Sequence, residues 1–199
     1  MNKKDLLNHI RQEFKDVILG DSYTLVEEDY ADTAYWHFDK EHIDSNLTSE
    51  EWNAKEINFL KTSNLFQEDI EEAIRSILEK RKMSNRFLNP LEIPPTYLDK
   101  YFTGFSYLKP EGYIFYTPSM MLYVLENSEE ALRWNGFTWW LFRLNRNDSN
   151  RVFKCLTKNQ LNILTEFLKY LIGLNTINKF DKGEDIRAVL KKIQSFKSE

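Results

Sequence analysis

Apolar residues recur at helical spacing at both ends of the chain and lose that period in the middle. Leu6, Leu7, Ile10, Phe14 and Val17 fall on one face, and Lys3, Lys4, Arg11, Gln12 and Lys15 on the other. This predicts a helix over 3–18, with Gly20 at its stop. Farther on, Thr48 and Glu51 have capping-box spacing ahead of Trp52, Ile57, Phe59 and Leu60. Ile70, Ala73, Ile74, Ile77 and Leu78 predict another helix over about 67–83. Thr157 and Gln160 repeat the capping-box spacing before Leu161, Leu164, Phe167, Leu168 and Leu171, a helix that should end at Gly173. Ile186, Val189, Leu190, Ile193 and Phe196 line a terminal helix over 182–197.

The middle reads differently. Asn89-Pro90 and Pro94-Pro95 break regular structure, and Thr96 to Phe102 suits a short helix. Phe105 to Leu108 reads as a strand and Lys109-Pro110-Glu111-Gly112 as a type I turn. Tyr113 to Tyr116 then reads as the returning strand of a hairpin. Thr117-Pro118 has the chemistry of a helix opening, with Met120, Met121, Val124 and Leu125 as its buried stripe. Residues 127–136 suit a surface passage. Phe137 to Leu144 is apolar at too many positions to distinguish buried helix from buried strand. Residues 143–151 read as a polar loop and Val152 to Leu156 as a short edge strand. The expected fold is therefore α+β: mostly helical, with about five to seven helices around a small antiparallel sheet that contains a hairpin near 105–116. It forms a single globular domain over 1–199, with the terminal helix packed on it.

The run Leu108-x-Pro110-Glu111-Gly112-x-x-Phe115-Tyr116-x-Pro118-x-x-Met121 resembles a bacterial family of unknown function. Members of that family carry a Pro-Glu-Gly turn, a Phe-Tyr pair and a proline-led helix. Trp52 before the run, and Leu156-Thr157-x-x-Gln160 to Phe167-Leu168 after it, stand at comparable places. The resemblance spans roughly residues 5 to 172, leaves the terminal helix outside, and implies no activity.

Composition narrows the function classes. With 42% hydrophobic and 29% charged residues, the chain belongs among folded globular proteins. Aromatics at 15% mean that rings build much of the core. A net charge of −4 argues against general binding to a phosphate backbone, so no nucleic-acid partner is expected. The densest basic run, Lys80-Arg81-Lys82 with Arg86, reads as a solvated helix end. Cys155 is the single cysteine, so no intramolecular disulfide forms, and with no apolar run of spanning length a cytoplasmic setting is expected. Its apolar neighbours predict a buried, inert thiol.

Glu27, Glu28, Asp29 and Asp32, followed by His37, Asp39 and His42, form the densest group of potential ligands. Oxygen donors in a loop suit a hard cation. No glycine interrupts the acids as a calcium loop requires, and His37 and His42 are five apart, off one helix face. A solvated acidic arm beside aromatic packing is the plainer reading, and no cofactor is expected. Candidate binding residues are Asp32, Trp36, His37, Tyr113, Tyr116, Trp139 and Trp140, because indole and phenol rings combine large contact area with a polar tip. The function these features suggest is a non-catalytic binding or interaction module with a protein partner, one version being an immunity-type protein that presents its acidic arm to a basic toxin. The alternative is a small metal-assisted hydrolase built on the arm from Glu27 to His42.

Overall fold

The structure, a computed structural model, describes residues 1–20, 22–26, 28–29, 54, 57–58, 61–62, 66–72, 75, 87–174 and 182–198. It is helical, and the described residues contain no β-strand. The expected α+β fold with its 105–116 hairpin is therefore corrected to an all-helical one.

The helices with described bounds run in order as α1 (Lys3–Phe14), α2 (Pro95–Lys100), a 3-10 helix (Phe102–Ser106) and α3 (Pro110–Glu126). They continue as α4 (Ser128–Ala131), α5 (Asn135–Asn145), α6 (Asn150–Cys155), α7 (Lys158–Ile172) and α8 (Gly183–Ser198). The capping box at Thr48, and the helix expected over 67–83 apart from residues 67–72 and 75, lie outside the described residues. Residues 67–72 are helical, as their spacing predicts.

The correction centres on α3. Pro110 is not the second residue of a turn but the first residue of a helix, where its missing N–H costs nothing. Tyr113 to Tyr116 lie inside that helix rather than in a strand, and Pro118 is an interior residue rather than an opening one. Thirteen of the seventeen residues of α3 are buried. A helix enclosed on all sides has no polar face, so its sequence shows no 3.6-residue period and mimics a buried strand. Pro118 has no N–H to offer the carbonyl of Ile114, an arrangement that costs about 3 kcal/mol in an isolated helix. One residue earlier, the Thr117 hydroxyl donates to the Tyr113 carbonyl at 2.9 Å. Enclosure by neighbours offsets the cost: α1, α2, α4, α5 and α6 all pack on α3, and each fully buried large side chain contributes about 1.5–3 kcal/mol.

The same reason resolves the other ambiguous stretches. Phe137 to Leu144 is helical, within α5, with Phe137, Trp140, Leu141 and Leu144 buried at helical spacing. Val152 to Cys155 belongs to α6, not to an edge strand. Around this centre, α1 packs on α7 through Leu6, Ile10 and Phe14. The junction is pinned where Gln160 Nε2 donates to the Glu13 carbonyl at 2.9 Å. The capping box that opens α7 is present in full, with Gln160 N donating to Thr157 Oγ1 and Thr157 N to Gln160 Oε1. Helix α8 packs against α5 and α7, the place its apolar stripe requires.

Two glycines allow backbones to touch. A Cβ at Gly104 would overlap the carbonyl oxygen of Leu25, and one at Gly136 would come within 2.7 Å of the Leu98 carbonyl oxygen. The first lets the 3-10 helix seat against the segment at Leu25, and the second lets α5 start directly on α2. At the second contact Gly136 N also donates to Asp99 Oδ1 at 3.0 Å.

Candidate functional site

Three of the expected binding residues, Tyr113, Tyr116 and Trp140, are buried in the core. The Tyr113 hydroxyl donates to the Trp140 carbonyl at 2.7 Å, and Trp140 Nε1 donates to Thr117 Oγ1 at 3.1 Å. The Tyr113 and Trp140 rings stack with centroids 6.1 Å apart. Burial pushes the Tyr113 phenol well above its ordinary pKa, and the Arg143 guanidinium offsets part of that shift. The Tyr116 hydroxyl accepts from Leu25 N at 3.0 Å, and the Tyr97 hydroxyl from Val26 N at 3.2 Å. Burial also raises the Tyr97 phenol. These tyrosines give each buried backbone N–H the partner it needs. They anchor the segment at the start of the acidic arm.

Trp139 points elsewhere. It is half-buried, with its ring near Phe102 and Phe142, the latter 52% exposed. Asp32, Trp36 and His37 lie outside the described residues, as do Asp39 and His42. Of the acidic arm, Glu28 and Asp29 are described, and both are buried; Asp29 accepts a hydrogen bond from the Thr103 hydroxyl. Among the described residues no group of three or more His, Cys, Asp or Glu side chains is placed to hold a metal ion. Cys155 is exposed rather than buried, with Sγ 3.8 Å from Glu111 Oε1. Partial desolvation and the Glu111 carboxylate both raise its thiol pKa, so the thiol form dominates near neutrality.

The site that stands out is a cleft of about 420 Å³ between the end of the 3-10 helix and the end of α5. Arg143 occupies the last turn of α5, where a cation complements the helix dipole. Its backbone position is on the buried side, so the guanidinium is only 4% exposed. The chain leaves α5 at Arg146 in an extended conformation and turns at once, Ser149 N donating to the Arg146 carbonyl at 3.2 Å. That turn brings Asp148 back beneath both arginines. A single oxygen, Asp148 Oδ1, lies 2.9 Å from Arg143 Nη1 and 3.2 Å from Arg146 Nε. Arg146 Nη1 donates to the Ser106 carbonyl at 2.9 Å, and Lys192 Nζ of α8 donates to the Arg146 carbonyl at 3.0 Å. The cleft is thus braced by three separate parts of the chain.

Lys109, Arg143, Arg146 and Arg151 line it against Glu28 and Asp148, which leaves two positive charges in excess among the described residues of an acidic protein. Tyr23, Tyr107, Leu108 and Pro110 supply its less polar wall. Two buried side-chain atoms lack a hydrogen-bond partner among the described residues, Arg143 Nε and Ser106 Oγ, and both residues line this cleft. Leaving such an atom unpaired costs about 1–3 kcal/mol. Sequence reasoning missed the site because residues 143–151 read as a solvated loop. The available signal was three arginines within nine positions, directly after an apolar helix. The basic run at 80–86 lies outside the described residues.

No helix among the described residues is long and apolar enough to cross a membrane. No curated protein and no solved structure matches the chain. A family model does match it, over residues 66–195. That segment includes most of α8, which the motif-based resemblance set outside, and begins beyond the acidic arm. It carries everything from α2 to α7, the 3-10 helix included, hence Ser106 and the arginines of the cleft. The chain belongs to DUF6714, a family of unknown function.

Proposed function

We propose that this protein is a non-catalytic binding module whose ligand sits in the cleft between the 3-10 helix and α5. The observation that carries the reading is that the two residues with unpaired buried atoms, Arg143 at Nε and Ser106 at Oγ, both line one cationic cavity. Buried polar groups without partners are rare in folded proteins, and two on one cavity suggest donors held ready for a guest. What surrounds them favours binding over turnover. Of the described acids of the arm, Asp29 is taken up by the Thr103 hydroxyl and Glu28 is buried on the cleft lining, and the Cys155 thiol is shifted away from the nucleophilic form.

The test is recovery of the guest. Small molecules released from wild-type protein by solvent denaturation are compared by mass spectrometry with those from a Lys109→Glu/Arg151→Glu variant. Both positions are exposed, so the fold should tolerate the change. The expected result is a compound enriched on the wild type, absent from the variant and returned unchanged after incubation. Equal contents in both proteins, or conversion of the compound to a product, overturns the reading.

The ring face of Phe102, Trp139 and Phe142 favours a second reading, docking of a protein partner, since exposed aromatic anchors suit such surfaces. The immunity-type version of that idea drew on an exposed acidic arm, and its described acids, Glu28 and Asp29, are buried. Affinity capture from the source cell with wild type and Phe142→Glu separates the cases. A partner lost from the variant supports docking here, and an unchanged set of retained proteins excludes it.

A further inference from the structure

We infer that the cleft takes a small phosphomonoester, with its phosphate among Arg143, Arg146 and Ser106 and its organic part against Tyr107. The inference rests on the binding reading above and names the ligand class.

Arg143 Nε can only donate, so its missing partner must be an acceptor. Ser106 belongs to the same lining and is tied to Arg143 through its backbone, because Arg146 contacts both the Ser106 carbonyl and the Asp148 oxygen that holds Arg143. A guest that accepts from a guanidinium and a hydroxyl at once needs several lone-pair directions, which a tetrahedral oxyanion supplies. Charge points the same way. The lining carries two positive charges in excess, and a phosphomonoester carries about −1.5 to −2 near neutrality, whereas a monocarboxylate carries half of that. The first turn of α3, at Pro110 on the rim, adds the positive end of a seventeen-residue helix. Size and wall chemistry supply the remainder. A volume of about 420 Å³ lies in the range of small-molecule sites, and Tyr107, 44% exposed, offers a ring to an organic group.

Calorimetric titration of the full chain at fixed ionic strength tests this, using phenyl phosphate, inorganic phosphate and benzoate as probes. Phenyl phosphate should bind saturably with one site, inorganic phosphate more weakly, and benzoate at least tenfold more weakly than phenyl phosphate. Ser106→Ala removes a hydroxyl that has no hydrogen-bond partner among the described residues, so it should leave the melting temperature unchanged while weakening phenyl phosphate about tenfold. Lys109→Gln, at an exposed position, provides the same readout if Ser106→Ala does not fold. The inference is overturned if phenyl phosphate gives no saturable heat, if benzoate binds equally well, or if the folded variants bind like wild type. When phenyl phosphate fails but a retained compound still depends on Lys109 and Arg151, the ligand class is wrong and the binding reading stands. When retention ignores those residues, the binding reading itself falls.

Discussion

Arg143 and Asp148 form an ion pair at 2.9 Å in which only the cation is buried, 4% exposed against 36% for the carboxylate. Desolvation therefore weighs on one partner, and Asp148 offsets it for Arg143 while also holding Arg146 at 3.2 Å. Removing the acid strands a buried positive charge. Asp148→Asn should destabilise the fold by about 2–3 kcal/mol, below the top of the range for a broken buried pair because the carboxylate side is open to water. Urea unfolding measures it, and a loss under 0.5 kcal/mol would show that Arg143 does not depend on the pair.

Tyr113 links α3 to α5 through its bond to the Trp140 carbonyl. Tyr113→Phe deletes the donor and leaves a buried carbonyl short of a partner, which should cost about 1–2 kcal/mol. The same residue sets an alkaline limit. Its folded pKa is raised, so its contribution is complete below the unfolded value near 10 and is lost as pH rises beyond it. Between pH 10 and 11 the wild type should lose about 1 kcal/mol more than Tyr113→Phe, because the unfolded phenol is only half ionised at the start of that interval. Parallel stability profiles for the two proteins would contradict the buried, neutral phenol.

Gly136 sits where α5 begins against α2, 2.7 Å from the Leu98 carbonyl oxygen if a Cβ is added. Backbone on both sides leaves little room to relax. Gly136→Ala should cost about 1–3 kcal/mol although alanine is the better helix former. A melting temperature equal to or above wild type would mean that the two helices separate freely.

Cys155 is exposed yet held in its thiol form by partial desolvation and by Glu111. Its reaction with a disulfide reagent at pH 7 should be slower than that of a free thiol, rising with pH above the ordinary thiol range. Glu111→Gln removes a neighbouring negative charge, lowers the thiol pKa and should speed the reaction several-fold. An unchanged rate would rule out Glu111 as the cause.

The acidic side is set at the join between α1 and α7. Glu166 accepts from Lys169 and from the amino group of Met1, and these contacts lower its pKa, the Lys169 hydrogen bond foremost. A lowered carboxylate contributes stability above its unfolded pKa and loses it as pH falls through the folded value. Glu166→Gln should therefore match the wild type most closely below about pH 4 and trail it above about pH 5. A gap that widens toward acid pH would reverse the assignment.

The amphipathic helices were legible in the sequence. Leu6, Ile10 and Phe14 of α1, the Thr157–Gln160 box and stripe of α7, and Ile186, Val189 and Ile193 of α8 lie where their spacing places them. A helix with one wet face writes its period into the chain, because water accepts only polar residues there. That is what the sequence determined by itself: the helices at the edges and both ends of α7, although α1 stops at Phe14 rather than running on to 18. Helices α3 and α5 are enclosed by neighbours, so apolar residues are accepted all round and the period vanishes. Whether Pro110 began a turn or a helix, and whether Tyr113 faced a ligand or the core, depended on partners distant along the chain. The cleft is the extreme case. Ser106 read as part of a strand and Arg143 and Asp148 as part of a polar loop, and only the tertiary structure brings them together, by ending α5 and the 3-10 helix at one place and burying a cation between them.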